Sequence, residues 1–214
     1  MRIVYALAVL ALGLSITGCA LGIGGTDQST SQSTTKKESS TVTSMKQSAD
    51  ETEQYRQVVQ PAVAALEAGN YEQAIGLATK AINDNKNNDQ AYSVKGLALA
   101  LEGNTKEGLA LTKEAFSLNP DNVANFYNMA MIYKLEGNLP VAKEWFEKVL
   151  AVDPNNTWSV YGISTIYSDQ GNDSEALVWL KRAIDLDPAV KDAARVQDHF
   201  ERFYNNVDFQ KLVK

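Results

Sequence analysis

The chain has a single cysteine and a single histidine among its 214 residues. One cysteine cannot close a disulfide within the chain, and one of each nearly excludes a zinc site of Cys and His ligands. Basic residues are in the minority, 20 against 26 acidic ones, for a formal net charge of −6. That balance disfavours nucleic acid as a partner, because phosphate binding relies on clustered Lys and Arg. There is no Gly-rich phosphate loop, no arguable Ser-His-Asp set and no carboxylate cluster at metal spacing. The chain therefore reads as a binding protein and not an enzyme, with no cofactor, no metal and no small-molecule substrate evident. The apolar run from Ile3 to Leu14 is too short for a comfortable transmembrane helix. What remains, 44% hydrophobic and 21% charged residues, suits a soluble core with appendages.

Met1-Arg2, the apolar run, and the small residues of Ser15-Ile16-Thr17-Gly18 give a secretory signal over residues 1–18. Ile16-Thr17-Gly18-Cys19 resembles the lipobox of bacterial lipoproteins, an aliphatic residue two places before a small one and then Cys. The resemblance implies cleavage before Cys19 and acylation of Cys19, so that two or three chains hold the protein firmly at a membrane. An ordinary signal peptide with an incidental Cys is the plainer alternative. Ala20, and not Asp, follows the Cys; by the same resemblance this implies the outer membrane of a two-membrane cell, facing the periplasm. Residues 19–52 are rich in Ser, Thr, Gln and Gly and almost free of large apolar side chains. They cannot bury enough surface to offset the entropy of ordering, and read as a disordered tether with a reach of roughly 30 Å.

Beyond the tether a phrase recurs. Gly-Asn stands at Gly69-Asn70, Gly103-Asn104, Gly137-Asn138 and Gly171-Asn172, always at the same interval. A fixed period of this length marks a solenoid of one repeated supersecondary unit. With Gly at place fifteen, the blocks are 55–88, 89–122, 123–156 and 157–190. Apolar residues at helical spacing precede each Gly, as in Phe126, Met129, Ala130 and Tyr133, so a first helix ends there with Gly as its C-terminal cap. Ala74, Gly108, Ala142 and Ala176 supply one small residue per block, where a second helix must approach the first closely. The second helix is predicted to present a core stripe of Leu77, Leu111, Trp145 and Trp179 with Ile82, Phe116, Leu150 and Ile184. Asn119-Pro120, Asp153-Pro154 and Asp187-Pro188 stop it, and Pro140 suits a first helical turn.

These blocks resemble the tetratricopeptide repeat. The third meets the family pattern through Phe126, Met129, Ala130, Tyr133, Ala142, Phe146 and Pro154, and the fourth keeps Tyr167, Ala176, Ala183 and Pro188. The second is looser, with Lys95 at place seven and Thr112 at twenty-four. The first has Pro61 at place seven and Lys86 where Pro is expected, which predicts a first helix that starts late or is kinked. The implied fold is all-α: a solenoid of four helix-turn-helix repeats over 55–190, closed by a capping helix and tail over 191–214. Val196, Phe200 and Phe203 give that helix its apolar stripe; Asn205-Asn206 breaks it, and Asp208 to Val213 form a final turn or short helix. His199 is expected at the surface without a titratable partner.

The same resemblance implies a protein or peptide partner in a concave groove lined from places two, five, nine, twelve and thirteen. The third block offers Ala124, Tyr127, Met131, Lys134 and Leu135; the fourth offers Trp158, Tyr161, Thr165, Ser168 and Asp169. Tyr127, Met131, Lys134, Trp158 and Tyr161 are the candidate partner-binding residues, since aromatic anchors dominate binding energy. Trp158 could equally fill a gap between first helices or meet the cap. Lys134 is the lone cation among these places in the last two blocks, so a basic clamp for a terminal carboxylate is not evident. Bacterial lipoproteins of this design resemble assembly factors of pili and their secretins; the alternative is an adaptor for envelope proteases or cell-wall enzymes.

Overall fold

The computed structural model describes residues 57–214. The signal segment, Cys19, the tether and the first two residues of the first block lie outside the described residues. Helix α1 covers 57–67. It is followed by α2 (Tyr71–Asp84), α3 (Asp89–Leu101), α4 (Thr105–Leu118), α5 (Val123–Leu135), α6 (Leu139–Val152), α7 (Thr157–Asp169) and α8 (Asp173–Leu186). Among the described residues there is no strand, and no helix is long and apolar enough to cross a membrane. The eight helices form four consecutive pairs in register with the Gly-Asn phrase, an all-α solenoid.

Each Gly of the repeated phrase has a positive φ, from 75° at Gly69 to 99° at Gly103. The hydrogen bonds show why. At the end of α5, Gly137 N–H donates to Lys134 O at 2.9 Å and Asn138 N–H to Tyr133 O at 2.9 Å. Together these are the Schellman pair, which satisfies two orphan carbonyls and needs a left-handed residue at the Gly. The same pair recurs at Gly69, Gly103 and Gly171. A second punctuation mark lies at the last place of the first three blocks. The side chains of Asn88, Asn122 and Asn156 accept from Ala91, Ala124 and Ser159 N–H, capping α3, α5 and α7.

The small residues do what close approach requires. Ala74, Ala142 and Ala176 are fully buried, and a Cβ on Gly96 would lie 2.6 Å from Gly108 O. Of the expected second-helix stripe Ile82 and Ile184 are buried in the core, but the rest of the core runs along other residues. Ala78 and Ala81, Thr112 and Ala115, Phe146 and Val149, and Leu180 and Ala183 are buried, whereas Leu77, Leu111, Trp145 and Trp179 are half-buried. Residues five apart lie about 140° apart on a helix of 3.6 residues per turn, so most of the predicted stripe flanks the core line, and only Ile82 and Ile184 of it join the core. The half-buried aromatics pack between repeats: Phe116 meets Trp145 edge-on at 5.4 Å and Phe126 at 6.0 Å. Helix α1 runs unbroken through exposed Pro61 and buries Val59, Ala62, Ala65 and Leu66 against α2 and α3.

The end of the chain is built from three short pieces: α9 (Val190–Val196), a 3-10 helix (Asp198–Phe203) and α10 (Val207–Leu212). Val196 does not join the predicted stripe; it is 66% exposed. Helix α9 ends at Val196, and Gln197 turns extended, at φ −88° and ψ 132°, which resets the face that follows. Val190, Ala194, Phe200, Phe203 and Phe209 are buried instead, with Phe200 stacked on Phe209 at 5.7 Å. They close the core of the fourth repeat with Val160, Leu180 and Ala183.

Candidate functional site

On a helix, residues three and four apart share a face. That spacing puts Tyr127, Met131 and Lys134 on one side of α5, and Trp158, Tyr161 and Thr165 on one side of α7. These sides meet at a cavity of about 320 Å³. All five candidate partner-binding residues line it, with Leu135, Thr165 and Asp169 from the same groove places. Ala124 and Ser168 do not. The Ser168 hydroxyl is turned to the C-terminal segment, where it donates to His199 O.

The cavity wall is mostly aromatic and aliphatic. Tyr127 sets its ring edge-on to Phe146 at 5.6 Å, and Phe146 fits beneath α7 because residue 162 is Gly; a Cβ there would lie 2.5 Å from the Phe146 ring. Trp158 and Tyr161 are T-shaped at 5.8 Å. Trp158 is half-buried and reaches the cavity, while Tyr161 is 5% exposed and packs on Phe200 at 6.0 Å. The Tyr161 hydroxyl donates to Gln197 Oε1 at 2.9 Å. Burial pushes the Tyr127 and Tyr161 phenols well above the ordinary tyrosine range, so both rings are neutral at physiological pH.

The polar end of the cavity is a relay of three side chains. His199 Nδ1 lies 2.7 Å from Asp169 Oδ1 and its Nε2 lies 3.0 Å from Lys134 Nζ. Those partners assign the tautomer: a protonated Nδ1 donates to the carboxylate, and Nε2 accepts from the ammonium. Burial lowers the Lys134 amine to about 8, and the charge of Asp169 partly opposes the fall. The expectation that His199 has no titratable partner is thus overturned; it has two. Arg202 fastens the same segment, donating to Ser168 O at 2.6 Å and pairing with Asp173 at 2.7 Å.

Gln197 and His199 are the wall residues that reading the four blocks misses. A signal was present: continuing the period past Val190 puts His199 at place nine of a further block, one of the groove places. Leu139, from the start of α6, also lines the cavity. Side chains bridge the first helices of the second and third repeats, Asn128 Nδ2 donating to Ser93 Oγ at 2.8 Å and Asn122 Nδ2 to Asp89 Oδ2 at 2.6 Å. Among the described residues no three metal-ligating side chains converge.

A family model described as "Psidin, N-terminal TPR repeats region" matches residues 55–180. Among solved structures, a thermophilic TPR protein of Thermus thermophilus superposes with a TM-score of 0.62 at 16% identity, covering 74% of this chain and 87% of that one. PilF of Pseudomonas aeruginosa gives 0.59 at 15% identity, over 76% of this chain and 74% of its own. The 41-end form of MamA from Desulfovibrio magneticus gives 0.54 at 20% identity, over 76% and 89%. At these identities the likeness is one of fold. No curated protein sequence matches the chain.

Proposed function

The chain belongs to the tetratricopeptide repeat family, and on that premise we propose that it is a lipid-anchored scaffold holding a protein partner in the groove between its third and fourth repeats. The observation that carries the proposal is the aromatic-walled cavity on facing sides of α5 and α7, where Tyr127, Met131, Trp158 and Tyr161 stand together. Apolar side chains lining an accessible cavity are what a groove for an extended peptide or a helix requires. Capture of the partner from solubilised envelopes tests it. The wild-type chain is expected to retain a partner that Tyr127→Ala with Trp158→Ala loses, and unchanged recovery would move the site off this groove.

The anchor is argued from Ile16-Thr17-Gly18-Cys19, which supplies the only thiol of the chain at the lipobox position. Attachment through Cys19 and the long polar tether would let the repeats search beside the outer membrane for their partner. Cys19→Ser is expected to release the protein into the soluble fraction, and a variant that still sediments with membranes would refute lipidation. Within this reading the protein serves assembly of an envelope machine such as a pilus or a secretin, the role that its resemblance to envelope lipoproteins of this design implies.

A further inference from the structure

Resting on that reading of the groove, we infer that the cavity takes a neutral apolar residue of the partner, seats an adjoining main-chain carbonyl on Lys134, and rejects carboxylates. An ammonium has three N–H donors, and among the described residues the Lys134 amine makes one hydrogen bond, to His199 Nε2. Of the other polar side chains of the wall, the Tyr127 hydroxyl and the Trp158 indole N–H make no hydrogen bond among the described residues, and the rest are engaged. The Tyr161 hydroxyl donates to Gln197, the Thr165 hydroxyl donates to Gly162 O at 2.8 Å, and both ring nitrogens of His199 are taken. What the cavity has left over is therefore chiefly donor capacity, on the Tyr127 hydroxyl, the Trp158 indole and above all one half-buried cation, and an acceptor on the ligand answers it.

Charge decides which acceptor. Asp169 and Lys134 are of opposite sign, and the tautomer fixed by their contacts leaves His199 neutral between them, so the relay sums to zero. A peptide carbonyl keeps that sum. A carboxylate, whether terminal or on a side chain, would bring a second negative charge close to Asp169 inside walls that screen poorly. Around the amine, Tyr127, Met131 and Trp158 offer apolar surface and about 320 Å³ of space, room for one large aliphatic or aromatic side chain beside the backbone that carries it.

A display library of random twelve-residue peptides, panned on the full-length chain, is the probe. Selected peptides are expected to need Tyr127 and Trp158, to share a neutral apolar residue, and to weaken about tenfold or more when that residue is replaced by Glu. Lys134→Met should weaken them by a similar factor. Peptides that need the two aromatics but carry Asp, Glu or a free C-terminus at the shared position would overturn the inference and leave the groove in place. So would selected peptides that bind Lys134→Met as tightly as wild type. Selection of no peptide that needs Tyr127 and Trp158 would overturn the groove and this inference together.

Discussion

Replacing Lys134 by Met should make the protein more stable at neutral pH. The lysine amine falls from 10.5 to about 8 in the folded state, chiefly through burial. At about 1.4 kcal/mol per pH unit that difference has a ceiling of about 3 kcal/mol. Lys134 is half-buried, so solvent screening brings the realised penalty to about 1–2 kcal/mol. The sign follows from where the proton sits. Below pH 8 the folded and unfolded chains both carry it, and the folded state bears the whole cost of holding a charge in an apolar wall. Between pH 8 and 10.5 the unfolded chain keeps the proton that the folded chain has released, so stability climbs with pH. The Tyr127 and Tyr161 phenols act in the opposite sense. Burial raises both above their usual 10.0, so their contribution is complete below pH 10 and is lost as pH rises further. The wild-type chain should therefore reach maximal stability near pH 10. Lys134→Met should start higher by the realised penalty at pH 7, show no rise from pH 8 to 10, and decline with the wild type above it. Urea unfolding followed by far-ultraviolet circular dichroism at pH 7, 8, 9, 10 and 10.5 measures this. A wild-type profile that is flat between pH 8 and 10, together with a variant no more stable at pH 7, would refute the account of Lys134.

Two glycines in helices should respond in opposite directions to Ala. Gly162→Ala brings a Cβ to 2.5 Å from the Phe146 ring and should cost about 1–3 kcal/mol by overpacking, whereas Gly76, with nothing within 4 Å of its added Cβ, should gain about 0.5–1 kcal/mol from helix propensity; thermal melts of the two variants compare them directly. Phe200→Ala removes a fully buried ring that touches Tyr161, Phe203 and Phe209 and should cost about 3–5 kcal/mol. The loss should be accompanied by amide exchange of α9 and α10 at rates near those of an unfolded chain, and protection equal to wild type would refute the role of Phe200 in closing the last repeat.

The fold was legible because a single local rule is repeated. Each Gly must take a left-handed φ, each small residue in the second helix must admit a neighbouring backbone, and both demands recur at one fixed interval, so the register can be read without knowing any contact. The side chains that line the cavity were legible less directly: the period numbers the places, and the family resemblance says which of those places face the groove. What escaped notice is what the period does not constrain. In the first two repeats the second-helix core line lies between the large side chains, on the small residues Ala78, Ala81, Thr112 and Ala115, and in the last two it carries Phe146, Val149 and Leu180, so residue size does not mark it. The C-terminal segment departs from the repeat in length and helix type. Nothing in the spacing of Val196, Phe200 and Phe203 reveals that the backbone turns extended at Gln197 and aims His199 at α5.

Lys134 and the C-terminal segment are best understood together. Place twelve of the other blocks holds Leu66, Ala100 and Ser168, all of them buried, so the position favours a side chain that gives up water readily. A lysine there is destabilising, and by its own chemistry it would be expected to turn out into solvent. It is held inward by His199, which arrives from far along the chain on a segment fastened through Phe200, Arg202 and the Ser168 hydroxyl. The segment thus performs two tasks with adjacent residues: Phe200 covers the last core, and His199 orients Lys134 in the cavity wall. Natural sequences retain such a cost where function uses the group that incurs it. It follows that His199→Ala should spare most of the fold, since Phe200 still seals the core, yet should weaken groove-dependent peptides. If it left their affinity unchanged while Lys134→Met reduced it, the amine would be shown to find its binding geometry without the relay.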